Sequence, residues 1–173
     1  MLTAELLTFI NRAERYDFLF PIFCKALFAT GLRFNELFEL NRLSIISSTK
    51  IEVDTLKGSN NRIIKHSDIN PIIINSIKQN NNLFSVFASY RKYSRIFNRL
   101  TSFQYLIDSK PTTFHLFRHN FIKKLHFSDK KNIQEIKEIT GIKTSEVVLG
   151  YIHSSIKRYD KIFNSNIIFD VAF

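Results

Sequence analysis

The fold is decided by the stretch Thr113-Phe114-His115-Leu116-Phe117-Arg118-His119, which is predicted to be helical. His115 and Arg118 are three residues apart, so on a helix they share one face. A guanidinium group can bind two phosphate oxygens at once, and an imidazole beside it can exchange a proton. The stretch therefore predicts a helix that presents a phosphate-binding pair, and the rest of the chain should supply the remainder of the site.

Length and charge limit the classes of protein to consider. The chain has 173 residues, which is enough for a substantial core and favours one domain over two. Hydrophobic residues make up 45%, as in ordinary globular domains, but the net charge is +10. Lysine and arginine are spread through the whole chain, which favours a polyanionic partner, with nucleic acid preferred to a membrane surface. A solvated basic surface without a partner is the alternative.

The sequence also indicates a compartment and the absence of bound groups. Cys24 is the only cysteine and lies in an apolar run, so we expect a buried thiol and a reducing cytoplasm. The N-terminal residues lack the pattern of a signal peptide, and no apolar run approaches the roughly 18 residues of a membrane span. There is no P-loop and no carboxylate cluster with metal-ligand spacing, so neither a cofactor nor a metal is expected.

Periodicity and capping residues predict a mainly α fold with one small antiparallel β-hairpin, an α+β class. The hairpin pairs the alternating residues 51–55 with residues 62–64 across a turn at 58–61. In the first half of the chain, helices are predicted from Thr3 to about Ala13, from Phe18 to Thr30, from near Arg33 to Leu40 and from Asn70-Pro71 to Lys78. Pro21 lies in the first turn of the second of these helices and Gly31 at its end, and Asn70-Pro71 caps the fourth. In the second half, helices are predicted through 84–100, from 113 to about Phe127, from the cap Ser128-Asp129 to Gly141, and from Ser145 through Tyr151, His153 and Tyr159.

The stretch 84–100 is both aromatic and basic. Its aromatic residues recur at helical spacing, which favours packing in the core over stacking on nucleic-acid bases. These residues are Phe84, Phe87, Tyr90, Tyr93 and Phe97.

Three segments resemble sequence motifs in the catalytic domain of the tyrosine recombinases or phage integrases. A fourth motif, near the C-terminus, extends the resemblance over essentially the whole chain. Residues 30–37, TGLRFNEL, resemble the box of the first catalytic arginine, with Glu36 at its acidic supporting position. Residues 56–62, LKGSNNR, are similar to the family's β-hairpin and place Lys57 at the catalytic lysine. Residues 115–119, HLFRH, match the box of the second arginine.

The last box of the family places its nucleophilic tyrosine nine residues after a histidine. Counting from position 142 leads to Tyr151, with His153 two residues further on, whereas counting towards Tyr159 from Tyr151 gives a spacing one residue too short. Tyr151 is the preferred nucleophile and Tyr159 the second choice. Ile142 then stands where the family usually has a histidine or tryptophan that hydrogen-bonds the phosphate. One contact is missing unless His153, His119 or Lys143 replaces it.

The resemblance implies a reaction and a set of catalytic residues. Tyr151 would attack a DNA phosphodiester and form a 3′-phosphotyrosyl bond, without a metal or a cofactor. Arg33 and Arg118 would stabilise the charge on the phosphate, Lys57 would protonate the departing 5′ oxygen, and His115 would accept the tyrosine proton or hold a phosphate oxygen. Site-specific recombination is the implied function. A type IB topoisomerase-like enzyme and a catalytically weakened or inactive DNA-binding relic are the alternatives.

The resemblance also implies partners. We expect double-stranded DNA as the substrate and a single catalytic domain over residues 1–173, without the family's N-terminal DNA-binding domain. The apolar tail 162–173 either docks on a neighbouring subunit in a DNA-bound tetramer or folds back on its own core. The sequence leaves both possibilities open.

Overall fold

The computed structural model describes residues 8, 10–15, 17–55, 59–84, 89–100, 103–107, 110–112, 114–154, 156–160 and 168–170. Only the backbone is described for residues 100, 103–107, 110–112, 156–160 and 168–170. Lys57, Phe87 and the predicted start of the first helix at Thr3 lie outside the described residues.

The described elements are mainly helical, as predicted. The α-helices are α1 (Leu19–Thr30), α2 (Phe34–Phe38), α3 (Pro71–Lys78), α4 (Tyr90–Leu100), α5 (His115–Lys123), α6 (Ile133–Thr140) and α7 (Ser145–His153). The strands are β1 (Leu43–Ile45), β2 (Lys50–Val53), β3 (Arg62–Lys65), β4 (Phe103–Ile107), β5 (Lys110–Thr112), β6 (Ile156–Asp160) and β7 (Ile168–Asp170). Helix α5 continues into a π-helical turn over Lys124–Ser128.

Local capping chemistry fixes the ends of α1 and α3 where the sequence predicts them. Asp17 Oδ1 accepts the backbone N–H groups of Leu19 and Phe20 at the start of α1. Gly31 ends α1 with φ +64°, and its N–H donates to the carbonyl of Leu27. Asn70 Oδ1 accepts the N–H of Ile72 at 2.9 Å, and Pro71 is the first residue of α3.

Two antiparallel sheets are present in the described part of the chain, and the sequence predicted only part of one. The first has the order β1-β2-β3 and contains the predicted hairpin, with Val53 opposite Arg62. The second has the order β5-β4-β6-β7. In it, residues 168–170 of the tail pair with β6 of the same chain. These three residues therefore fold back, and the rest of the tail lies outside the described residues.

Two predictions about helix ends are wrong. The predicted cap Ser128-Asp129 closes the π turn, because the Asp129 N–H donates to the carbonyl of Lys124. The cap of α6 is Asn132, which exchanges hydrogen bonds with Glu135 in a capping box. The helix that carries Tyr151 ends at His153, so Tyr159 lies on β6 and not on that helix.

The core has two parts. The larger part contains aromatic rings from α1, from the start of α5 and from the stretch 84–100. Phe84, Tyr93 and Phe97 of that stretch are buried in it, as predicted. Tyr90, in contrast, is 52% exposed. The smaller part joins α5, α6 and α7 through Ile122, Leu125, Ile136, Ile142, Val148 and Ile152. Helix α5 belongs to both parts and is therefore held from two sides. No helix in the described ranges is long and apolar enough to cross a membrane.

Candidate active site

Helix α5 presents an exposed and a buried side chain to the candidate site. His115, its first residue, keeps an exposed face, whereas Arg118 is 1% exposed. Both side chains line an open pocket together with Arg33. Tyr90 and Phe114 line the same pocket. The two residues with which the sequence analysis began therefore face one pocket, as their spacing predicts.

Tyr151 reaches the same place from α7. Its phenol oxygen lies 3.2 Å from His115 Nε2, which is within hydrogen-bonding distance. The ring of Tyr151 also lies 4.5 Å from the ring of His119. Arg118 Cζ is 5.9 Å from the centre of the Tyr151 ring. A phenol, an imidazole and a guanidinium group thus meet at the contact between α5 and α7.

Arg118 is held by the ends of two helices. Its Nη1 donates to the carbonyl of Gly31 at 2.8 Å, and its Nη2 donates to the carbonyl of Thr140 at 3.0 Å. These carbonyls end α1 and α6, where the helix dipole favours a positive charge. Gly31 is also required for space, because a Cβ atom there would overlap the Phe121 ring. Arg118 Nε has no hydrogen-bond partner among the described residues.

Arg33 is oriented by a buried carboxylate. Glu36 is fully buried, and its Oε1 accepts Arg33 Nη1 at 2.7 Å. Its Oε2 accepts both the backbone N–H of Arg33 and Arg62 Nη2, each at 2.8 Å. Because the carboxylate binds both ends of Arg33, the guanidinium group is fixed relative to the start of α2. Glu36 thus holds both the backbone and the side chain of Arg33.

The predicted catalytic lysine, Lys57, lies outside the described residues. Ser59 is the first described residue after it, and Ser59 Oγ accepts Arg33 Nη2 at 3.0 Å. The backbone N–H of Asn60 donates to the carbonyl of Gly141 at 2.9 Å. The described end of the turn is therefore attached both to Arg33 and to the residue before Ile142.

Burial and neighbouring charges set the protonation of the site. Partial burial of the His115 ring lowers its pKa below the ordinary value, although one face stays exposed, and the positive charges of Arg118 and Arg33 lower it further. Burial, together with the positive charge of Arg62, also lowers the pKa of Arg118 to about 10. At neutral pH the site therefore holds a neutral His115 beside a charged Arg118. A neutral imidazole can accept a proton from Tyr151, and the guanidinium group can bind an anion.

The supporting residues do not all face the site. Ile142 is 4% exposed and packs in the smaller core, so it offers the pocket no hydrogen bond. His119 Nδ1 lies 2.9 Å from Ser154 Oγ, next to the Tyr151 ring. His153 and Lys143 are exposed. Tyr159 lies on β6, where its partners are Gln104 and Ile168.

Sequence reasoning missed three buried residues around this site. Arg62 is 3% exposed and pairs with Glu36, and Lys123 and Ser154 join α5 to α7. One signal for Arg62 was available. It shares the core-facing side of β3 with Ile64, and a charge at such a position requires a buried partner. The described residues contain no group of three or more metal-binding side chains.

Solved structures with a similar fold give this arrangement a context. XerH site-specific recombinase bound to palindromic difH substrate, in a post-cleavage complex, matches 92% of this chain with a TM-score of 0.54 and 18% identity. This is the catalytic-domain fold of the tyrosine recombinases. The pre-cleavage complex of XerH matches with a TM-score of 0.52 and 17% identity over 87% of this chain. XerA recombinase matches with a TM-score of 0.52 and 20% identity over 86% of this chain.

The likeness is one of fold and covers only part of those proteins. The chain spans 48% of the XerH chains and 58% of the XerA chain, which is about half their length. No protein-family model matches the sequence, and no curated protein matches it.

Proposed function

We propose that this protein cleaves and rejoins DNA strands through a phosphotyrosyl bond to Tyr151, as a site-specific recombinase. The observation that carries the proposal is the 3.2 Å contact between the Tyr151 phenol and His115 Nε2, beside Arg118. The fold shared with XerH and XerA supports it. In the matching complexes, XerH is bound to difH substrate.

The proposed step is a transesterification at phosphorus. Tyr151 Oη attacks the phosphorus atom and gives its proton to His115, while the bond from phosphorus to the 5′ oxygen breaks. Arg33 and Arg118 bind the non-bridging oxygens, on which negative charge grows in the five-coordinate transition state. Lys57 donates a proton to the departing 5′ oxygen. The released 5′ hydroxyl, or that of another strand, reverses the step and rejoins the DNA.

Double-stranded DNA is the proposed partner, and the charge of the surface next to the site supports it. Helix α4 begins at Tyr90, which lines the pocket, and carries exposed Arg91, Arg95 and Arg99. A spacing of four residues places these arginines along one face of the helix. A stripe of this kind can bind successive phosphates of a DNA backbone.

A second candidate, a DNA-binding relic without cleavage, is favoured by one observation. Ile142 is buried in the smaller core, and it stands where the resemblance requires a side chain that hydrogen-bonds the phosphate. Such a protein would retain its DNA affinity and the steep salt dependence of that affinity, and it would form no covalent product.

The experiment uses a pool of nicked suicide duplexes with a randomised centre. In such duplexes the cleaved fragment diffuses away, so the covalent product accumulates. We expect an adduct that survives a denaturing gel with the wild type and with Tyr159→Phe, and none with Tyr151→Phe. An adduct lost only in Tyr159→Phe would reverse the choice of nucleophile. Salt-dependent binding to DNA without any adduct would indicate that the protein is a DNA-binding relic without cleavage activity.

Recombination differs from topoisomerase-like nicking and resealing in the number of duplexes that take part. A recombinase must hold two duplexes together, so self-association on DNA is part of the proposal. Duplexes with two different labels, recovered from one complex and then joined to each other, would support recombination. Resealing of each duplex to itself alone would indicate topoisomerase-like activity.

A further inference from the structure

One face of α5 contacts α7 along its whole length. His115, His119 and Lys123 are spaced by four residues, so they form a single row on the helix. The first contacts the Tyr151 phenol, and the other two contact Ser154, the C-cap residue directly after α7. Because eight helical residues span about 12 Å, the row fastens α7 at two separated points.

Ser154 accepts and donates hydrogen bonds at the second of these points. Its Oγ donates to the carbonyl of Tyr151 at 2.8 Å. The hydroxyl group has one hydrogen, so its contact of 2.9 Å with His119 Nδ1 requires the histidine to donate. The carbonyl of Ser154 accepts Lys123 Nζ at 2.7 Å. The end of α7 is thus joined to α5 through both the side chain and the backbone of Ser154.

The burial of Lys123 makes this contact unusual. Lys123 is 6% exposed and Ser154 is 5% exposed, whereas the neighbouring Lys124 has an exposed side chain. A buried ammonium group is costly unless it is well bound. Here it lies at the C-terminal end of α7, where the helix dipole is negative. Helix α7 has only nine residues, so its last turn would fray readily without such an anchor.

We propose that Lys123 and Ser154 form a latch, and that this latch positions the Tyr151 phenol on His115. Neither residue lines the candidate pocket, so both are positioning residues. The inference rests on the proposed function for its effect on the reaction rate, because the latch acts on the nucleophile of that reaction. Its effect on the position of Tyr151 can be measured without DNA.

The test compares Lys123→Met, which keeps the aliphatic stem and removes the ammonium group, with the matched control Lys124→Met. The first readout is the fluorine NMR signal of 3-fluorotyrosine incorporated at position 151, recorded on the full chain without DNA. The second is the rate of adduct formation on the suicide duplex pool at saturating DNA, measured together with the DNA affinity. Lys123→Arg, which keeps a charged donor, tests for rescue.

We expect Lys123→Met to displace the fluorine signal and to slow adduct formation about 10²-fold, the effect of misplacing a reacting group by roughly 1 Å. DNA affinity should stay within about twofold of the wild type, because the ammonium group is buried and bound to the carbonyl of Ser154 and so is not part of the exposed basic surface. Lys123→Arg should recover most of the rate, and Lys124→Met should match the wild type in both readouts.

Three outcomes would overturn the latch. The first is a wild-type rate and an unchanged signal in Lys123→Met. The second is an arginine variant as impaired as the methionine variant, which would indicate packing alone. If Lys123→Met does not fold, Ser154→Ala takes its place in the test. The third outcome is an unchanged fluorine signal in Ser154→Ala. A displaced signal in a protein whose wild type forms no adduct would support the latch and contradict the proposed function.

Discussion

At the scale of single residues, burial and two guanidinium groups decide the protonation of His115. They lower its pKa, so the imidazole is neutral at pH 7 and its Nε2 can accept the proton of Tyr151. An imidazole of ordinary pKa, about 6.5, would be partly protonated near neutrality. Arg118 and Arg33 therefore have two effects in the proposed reaction, because they bind the anion and keep the base neutral.

This gives a prediction for the dependence of the reaction on pH. Protonated His115 cannot accept a proton, so the rate of adduct formation should rise with pH to a plateau, with the midpoint of the rise below the ordinary pKa of a histidine. His115→Ala should remove this rise and reduce the plateau rate by about 10² to 10⁴. The rate on suicide duplexes across pH 4.5–8 measures both. His66→Ala is the control, and the same acid limb in His115→Ala would contradict the assignment.

The carboxyl group of Glu36 gives a second prediction, on stability. Burial alone would raise its pKa, but Arg62 and Arg33 outweigh burial and hold the pKa at about 2, against an ordinary 4.5. The difference corresponds to roughly 3 kcal/mol of folding free energy at neutral pH. Since the folded pKa is depressed, this contribution is complete above about pH 4.5 and is lost as the pH falls towards 2.

Urea unfolding between pH 7 and pH 2.5 measures the effect. Glu36→Gln should be less stable at pH 7 and should lack most of the wild-type loss of stability in acid. The control is Glu39→Gln, since Glu39 forms its ion pair with Arg42 at the surface. If the free energy of unfolding falls with pH in the same way for the wild type and Glu36→Gln, the Glu36 carboxylate is not the source of the acid instability.

At the scale of elements, the hairpin and the C-terminal end of α6 are attached to each other at Gly141. This residue has φ +70°, and an added Cβ atom would overlap the carbonyl oxygen of Asn60. Its own carbonyl accepts the Asn60 N–H, so the hairpin approaches the end of α6 closely only because no side chain stands between them. The close approach also brings Arg62, on β3, next to α6. The last residue of α6, Thr140, accepts a hydrogen bond from Arg118.

Two glycine-to-alanine substitutions separate close approach from helix propensity. Gly141→Ala should destabilise the protein by about 1–3 kcal/mol through backbone strain and further through the clash. Gly150→Ala places its Cβ atom in open space within α7 and should stabilise the protein by up to about 1 kcal/mol. Thermal and urea unfolding measure both variants. Equal stability of the two would contradict the account of Gly141.

At the scale of the whole molecule, local chemistry made much of the fold predictable. Pro21, Gly31 and Asn70-Pro71 determine their own helix ends, and the alternation in 51–55 is sufficient for the hairpin. The second sheet was not predicted, because β4, β6 and β7 are joined by pairing between residues far apart in sequence. For the same reason Tyr159 was placed on a helix.

In the candidate site, too, local sequence features could be predicted and contacts between residues far apart in sequence could not. His115, Arg118 and Tyr151 were chosen from spacing and from a family resemblance, and the structure brings them together with Arg33. The buried supports were not predicted, because Arg62, Lys123 and Ser154 acquire their partners only through tertiary packing. The cap of α6 was assigned to Asp129 because a short polar run offers several capping residues. The π turn after α5 uses Asp129 and leaves Asn132 for the helix.

The central claim is that Tyr151 is the residue that becomes joined to DNA. The most direct measurement is tandem mass spectrometry of the peptide that remains attached to DNA after nuclease and protease digestion of the denatured adduct. The account predicts a nucleotide phosphate on the peptide that contains Tyr151, with the modified mass located at that tyrosine. A phosphate on Tyr159 or on any other residue would contradict it.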